Sequence, residues 1–246
     1  MQHSNIHTIK FITFLTIIVS SLLSITSTQL KILQAENVEL DKQKNILKAI
    51  GLDFSKSNMD NIKYEYENRI RNVILDLNGK IINNVKFENL ELLENKQTGE
   101  IRYFIGSSEY LPAYKSLNPS AFIIPISGKG LWSTLYGYLA LKDDYNTVLG
   151  ITFYKHKETA GLGGEIDKKW FQDNFINKKI YNVSGELISI NVIKGKADQV
   201  LESKSLIHGV DGISGATVTS KGVATLLKRD LIRYKPYFDK NRKINE

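Results

Sequence analysis

The 246-residue chain has no cysteine, which excludes disulfides, thiolate catalysis, cysteine-ligated iron–sulfur clusters and cysteinyl-linked cofactors together. Redox work, if the protein does any, needs an organic cofactor or one held by other groups. Histidine is nearly as scarce. His156 and His208 are the only histidines after the N-terminal stretch, and two widely spaced imidazoles without a thiolate make a poor metal site. They read more simply as surface or supporting residues than as a flavin linkage, and no metal is expected. A serine hydrolase is also poorly supported. Gly212-Ile213-Ser214-Gly215-Ala216 ends in alanine where a Gly-x-Ser-x-Gly elbow needs glycine, and no Ser-His-Asp arrangement stands out. Internal repeats and low-complexity linkers are missing too. Despite a net charge of +7, the lysines are scattered among acids, Asn and Ile with no basic face, so nucleic acid is not an expected partner.

One feature is an absence and a signal at once. From Phe11 to Leu30 there is no charged residue, and about twenty such residues cross a bilayer as a helix. Lys10 ahead of this stretch also fits a signal peptide, but Ser24 to Gln29 offers no small-x-small cleavage site, so a retained anchor over 1–30 is expected. Lysines 31, 42, 44 and 48 follow it, and a count of positive charges alone would put the C-terminal side in the cytoplasm. No carboxylate lies within the apolar stretch.

Hydrophobic content of 42% and aromatic content of 10% are enough for a buried core in the remainder. Residues 31–100 read as juxtamembrane helices and the start of the soluble domain: a helix from Gln34 to Ile50 stopped at Gly51, then one from Met59 to Leu75. Short β-rich runs are expected at 73–77, 81–87, 101–105, 122–126, 135–141, 148–154 and 187–192, with helices at 170–176 and 223–234. Strands and helices that do not alternate strictly favour an α+β fold.

Three segments carry chemistry. Asp211-Gly212-Ile213-Ser214-Gly215-Ala216-Thr217-Val218-Thr219-Ser220 precedes a helix whose apolar positions Val223, Leu226, Leu227, Leu231 and Tyr234 share one face. Small residues let another molecule near the backbone, and a helix start favours a phosphate through its free amides and dipole. Taken alone this is also how an ordinary capped helix looks, with Thr219 and Ser220 as caps. The second segment is His156-Lys157-Glu158-Thr159-Ala160-Gly161-Leu162-Gly163, a glycine-rich turn after a strand. It lacks the Gly-x-Gly-x-x-Gly spacing, because Ile166 stands at the last position. The third runs from Ile124 to Tyr138 through Lys129-Gly130-Leu131-Trp132-Ser133. Its Gly128-Lys129-Gly130 is no phosphate loop, and Trp132 alone reads as a core aromatic.

Together the three resemble the covalent FMN-binding domain family, which includes the C subunits of sodium-translocating NADH:quinone reductases and the G subunits of Rnf-type electron-transport complexes. The Gly-Leu-Trp-Ser-Thr stretch and Trp170 favour the former. The loop departs from the family pattern in carrying Ala160 for proline. The resemblance implies an FMN-binding domain over 101–246, with a mainly antiparallel sheet and flanking helices behind a single transmembrane helix. It implies FMN joined through its phosphate to Thr217 by a flavin transferase, with Asp211, Ser214, Gly215, Ala216, Val218, Thr219, Trp132, Lys129, Glu158, Thr159, Gly161, Leu162 and Gly163 around the cofactor and Trp132 against the isoalloxazine ring. It further implies other subunits of a membrane NADH:quinone reductase as partners, electron relay during sodium export, contact with membrane lipid, and an inner-membrane location with the large domain on the periplasmic side, against the lysine count. An anchored binding protein that keeps the fold without flavin is the alternative of another class.

Overall fold

The computed structural model of the chain describes residues 5–54 and 57–242. Helix α1 spans Asn5–Ala49 and α2 Met59–Arg69. Strands β1 (Ile70–Leu75), β2 (Glu91–Asn95), β3 (Glu100–Ile105), β4 (Ser108–Leu117), β5 (Ser120–Lys129), β6 (Thr134–Leu141) and β7 (Val148–Lys155) follow. The chain closes with α3 (Lys169–Asp173), β8 (Asn191–Ile193), α4 (Ala197–Val200), β9 (Gly209–Asp211) and α5 (Thr217–Asn241). It divides into two compact units, Met1–Lys42 and Gln43–Glu246.

The first unit is helical. Its apolar stretch is long and hydrophobic enough to cross a membrane, with a mean hydropathy of 2.0 over its best window. Several hydroxyls within it need no water: Thr16, Ser21 and Thr28 each donate to the carbonyl four residues back at 2.8 Å, which satisfies them inside the helix.

The second unit is an antiparallel sheet between helical layers, the α+β arrangement expected. Its seven strands run in the order β2-β3-β4-β5-β6-β7, with β1 paired to β4. β8 and β9 form a separate parallel pair. One sheet face offers Phe122, Ile124, Ile126, Leu135 and Leu139 to α5, whose Val223, Leu226, Leu227, Leu231 and Tyr234 are all buried. Each such side chain contributes roughly 1.5–3 kcal/mol. On the other face Tyr114, Ile123, Tyr138 and Ala140 are buried, as are Ile46 and Ile50 at the end of α1 and Ile62 of α2. There Thr152 Oγ1 donates to the Asn45 carbonyl at 3.3 Å, tying α1 to β7.

Several expected boundaries move. α1 is one helix from Asn5, not an anchor followed by a separate helix, and it stops where the Leu52 amide turns back to the Leu47 carbonyl at 3.1 Å beside Gly51. α2 ends at Arg69, because Ile70–Leu75 pairs in register with Ser116–Leu111 of β4. The strand expected at 81–87 is a single bridge between Leu75 and Ile81. That segment never gains a buried face. The strand expected at 187–192 is broken at Ser189, whose φ of 70° is incompatible with extended pairing: Leu187 makes a single bridge to Tyr181, and Asn191–Ile193 pairs with β9. Nothing in the sequence pattern anticipates β2 or β4.

Polar contacts fix α5 along its length. The Ser127 amide donates to Asp230 Oδ2 at 2.9 Å, Tyr234 donates to the Pro112 carbonyl at 2.6 Å, and Arg233 pairs with Glu109. Asp230 is 4% exposed. Burial pushes its carboxyl up to about 6, against the pull of Arg229 and the Ser127 amide. The folded chain therefore holds this proton where the unfolded chain has released it, and folding loses stability from this group as pH rises from about 4 through 6. An Asp230→Asn variant lacks that dependence. Urea unfolding of both proteins at pH 4 and pH 7 is expected to move their stability difference in favour of the variant at the higher pH, by about 3 kcal/mol at most.

Candidate functional site

At one edge of the sheet three chain segments meet: the turn 130–133 between β5 and β6, the loop 156–164 after β7, and the start of α5. They meet on one carboxylate. Glu158 is 8% exposed. Its Oε1 accepts from the Trp132 amide at 2.9 Å and the Ser133 amide at 3.2 Å. Its Oε2 accepts from the Leu131 amide at 3.1 Å and the Thr219 hydroxyl at 2.5 Å. Burial alone would raise this carboxyl. The Thr219 hydroxyl and then the Trp132, Leu131 and Ser133 amides more than offset it, and the group is held below the usual glutamate range.

The glycines of these segments make the approach possible. A Cβ on Gly130 would stand 2.6 Å from Glu158 Oε1, and one on Gly163 would stand 2.5 Å from the Thr219 hydroxyl. Two further ties steady the cluster: the Glu158 amide donates to His156 Nδ1 at 3.2 Å, and the Lys157 amide to the Ser133 hydroxyl at 2.7 Å.

The start of α5 is built unlike the expected cap. Gly215 takes φ of 74° and turns the chain, Ala216 is the N-cap residue, and it provides no side-chain hydrogen bond. Thr219 spends its hydroxyl on Glu158, and Ser220 Oγ accepts from the Ile213 amide behind it at 3.3 Å. Neither caps the helix. Among the described residues the first helical amides, at Thr217, Val218 and Thr219, have no acceptor outside the helix and stay open to an outside one. Thr217 is exposed, and its hydroxyl has no hydrogen-bond partner among the described residues.

Around that threonine lies exposed apolar surface. Trp132 is 65% exposed, Val218 53%, Leu131 49% and Leu162 43%. Leu162 lies over Gly215, where an added Cβ would come within 2.8 Å of its Cδ2. Trp132 is thus not the core aromatic that it resembles in isolation.

Most of the anticipated residues meet here. Ser214, Thr159 and Gly161 are exposed on the same loops, and the Thr159 carbonyl accepts from Gly164 at 2.9 Å. Lys129 ends β5 against the first turns of α5, its side chain exposed and unpaired among the described residues. Asp211 is separate: it accepts from the Ala197 amide at 2.8 Å and from Lys196 at 2.7 Å. Despite its burial, those bonds hold its carboxyl below the ordinary range. Its carboxylate braces the loop from behind. Sequence reasoning missed Glu94, which accepts from Thr134 at 2.6 Å and Tyr136 at 3.1 Å and secures the start of β6. An acidic residue on an irregular edge strand gives no sequence signal of such a role. No group of three or more metal-ligating side chains occurs among the described residues.

Free amides at a helix start, an accessible hydroxyl beside them and an apolar platform nearby suit a phosphate-bearing planar cofactor. Similarity to known proteins points the same way. The FMN-binding domain family matches residues 130–231. The C subunit of the Na(+)-translocating NADH-quinone reductase of Pseudomonas aeruginosa is 34% identical over 240 residues, spanning 92% of this chain and 91% of its own length. That of Haemophilus ducreyi is 36% identical over 234 residues, spanning 90% and 87%. The crystal structure of the corresponding C subunit from Parabacteroides distasonis superposes with a TM-score of 0.69 at 29% identity, covering 85% of this chain and 96% of that one.

A depressed carboxyl contributes stability above the unfolded glutamate value, near 4.3, and loses it as pH falls through the lower folded value. In urea unfolding, wild type is expected to exceed Glu158→Gln by about 1–3 kcal/mol at pH 7. That margin should shrink towards pH 3; an equal margin at both pH values would contradict an ionised Glu158.

Proposed function

The chain belongs to the family of the C subunits of Na(+)-translocating NADH-quinone reductases, and on that premise we propose that it carries FMN as a phosphoester on Thr217 and relays electrons within the membrane complex. The observation that carries this reading is the division of labour among hydroxyls at the start of α5. Thr219 and Ser220 are committed to internal bonds, while Thr217 stands exposed at the first helical position.

A phosphate ester at that place would accept from the uncapped amides of the first turn and lie at the positive end of the helix dipole. The exposed faces of Trp132, Leu162 and Val218 would receive an aromatic ring, Trp132 by stacking. Ser214, Gly215, Ala216, Thr159, Gly161 and Gly163 shape the approach, and the Lys129 ammonium is placed to neutralise anionic charge. FMN, when bound, supplies one- and two-electron transfer, and the protein contributes its position and the surrounding charge. A covalent link keeps a cofactor at an open, solvent-facing site where noncovalent retention would be weak.

In this reading 1–30 is the membrane anchor, 31–100 leads into the folded unit, and 101–246 forms the flavin domain, held on the periplasmic side of the inner membrane in contact with lipid. NADH and quinone bind to other subunits, as does sodium, since no carboxylate lies between Phe11 and Leu30. A flavin transferase completes the protein.

Denatured wild-type protein from cells containing such a transferase is expected to fluoresce in the gel under ultraviolet light, and Thr217→Ala to lose the signal entirely while folding normally. A dark wild-type band would overturn the flavin ester.

A further inference from the structure

Glu158 belongs to the loop expected to contact the cofactor, yet its carboxylate is not open to one. A carboxylate has about four acceptor positions, and the amides of Leu131, Trp132 and Ser133 with the Thr219 hydroxyl supply four donors. Whatever Glu158 does for a ligand, it does through the groups that it holds. Those are the backbone of the turn bearing Trp132 and a side chain two positions after Thr217. Among the described residues no salt bridge reaches its oxygens, and the four donors that hold it are all uncharged.

We propose that Glu158 is the positioning residue of the flavin site, fastening the Trp132 turn to the first turn of α5 and keeping a fixed negative charge beside the ring platform. The inference rests on the flavin reading above. The carboxylate has two separable effects. As a tie, it keeps the platform and the carrier threonine at one spacing. As a charge in a partly desolvated place, it opposes added electron density nearby and lowers the potential of a flavin held there.

Three variants separate these effects. Glu158→Gln removes the charge and mismatches at least one donor. Glu158→Asp keeps the charge and shortens the reach. Thr219→Val removes one bond and leaves the charge. Glu165→Gln is the control, since among the described residues the hydrogen bond to that carboxylate comes from Trp170 Nε1 at 2.8 Å and none from the Trp132 turn or α5. The full chain is made both without the transferase, to follow amide hydrogen exchange at Leu131, Trp132 and Ser133, and with it, to read the flavin midpoint potential by redox titration. Glu158→Gln and Glu158→Asp are expected to speed exchange at those amides at least tenfold, and only Glu158→Gln to shift the potential to more positive values. Thr219→Val should leave the potential in place, and Glu165→Gln should change neither quantity. Unchanged exchange in Glu158→Asp, or an unshifted potential in flavin-bearing Glu158→Gln, overturns the proposal. If Glu158→Gln does not fold, Glu158→Asp decides it, because a potential that moves with the charge retained overturns the charge effect. Wild type without covalent flavin overturns the underlying reading instead, whatever the exchange shows.

Discussion

One buried carboxylate organises the functional edge of this protein. Glu158 gathers three consecutive amides and one hydroxyl from two other segments, and each such charge-assisted bond contributes roughly 1.5–3 kcal/mol. The asymmetry of burial makes the arrangement compelling. A buried carboxylate stripped of its donors would be strongly destabilising, so the loop, the turn and the helix start must arrive together. Glycine at 130 and 163 provides the room, because a side chain at either place would strike the carboxylate or the hydroxyl bound to it.

The sheet and α5 give that cluster a rigid base. α5 buries one face from Val223 to Phe238, and its polar contacts with Ser127, Pro112 and Glu109 reach strands far away in sequence. Its exposed first turn therefore stands at the end of an element that cannot rotate without breaking the core. Behind it, Asp211 joins the end of β9 to the residues opening α4. The segment from Asp211 to Ser220 is held from two directions, and neither uses the exposed hydroxyl of Thr217.

Much of this is legible in the sequence where local pattern and tertiary structure agree. The apolar stripe from Val223 to Tyr234 is the buried face of α5, the alternating runs near Phe122 and Leu135 are interior strands, and the run near Val148 is the last strand of the sheet. The family resemblance, carried by three short segments, agrees with the matching FMN-binding domain family and with the curated relatives. Sequence and structure part where pairing alone decides. β4 mixes Pro112, Lys115 and serines into a strand that exchanges partners from β3 to β1, and β2 is an edge strand with Leu92 and Leu93 both exposed. Neither shows clean alternation. The helix cap differs for another reason: Thr219 and Ser220 are good cap residues by type, but their partners, Glu158 and the Ile213 amide, are tertiary or lie behind the turn. Nothing local announces that Glu158 serves the protein itself before any ligand.

On the proposed reading the availability of one hydroxyl in the first helical turn decides where FMN is attached, and fragmentation mass spectrometry of the tryptic peptide Ser205–Lys221 from flavin-bearing protein measures it directly. That peptide holds Ser205, Ser214, Thr217, Thr219 and Ser220. Sequestration of Thr219 by Glu158 predicts the flavin phosphate on Thr217 alone. Attachment at Thr219, or an unmodified peptide in a protein that still binds flavin, would contradict that assignment.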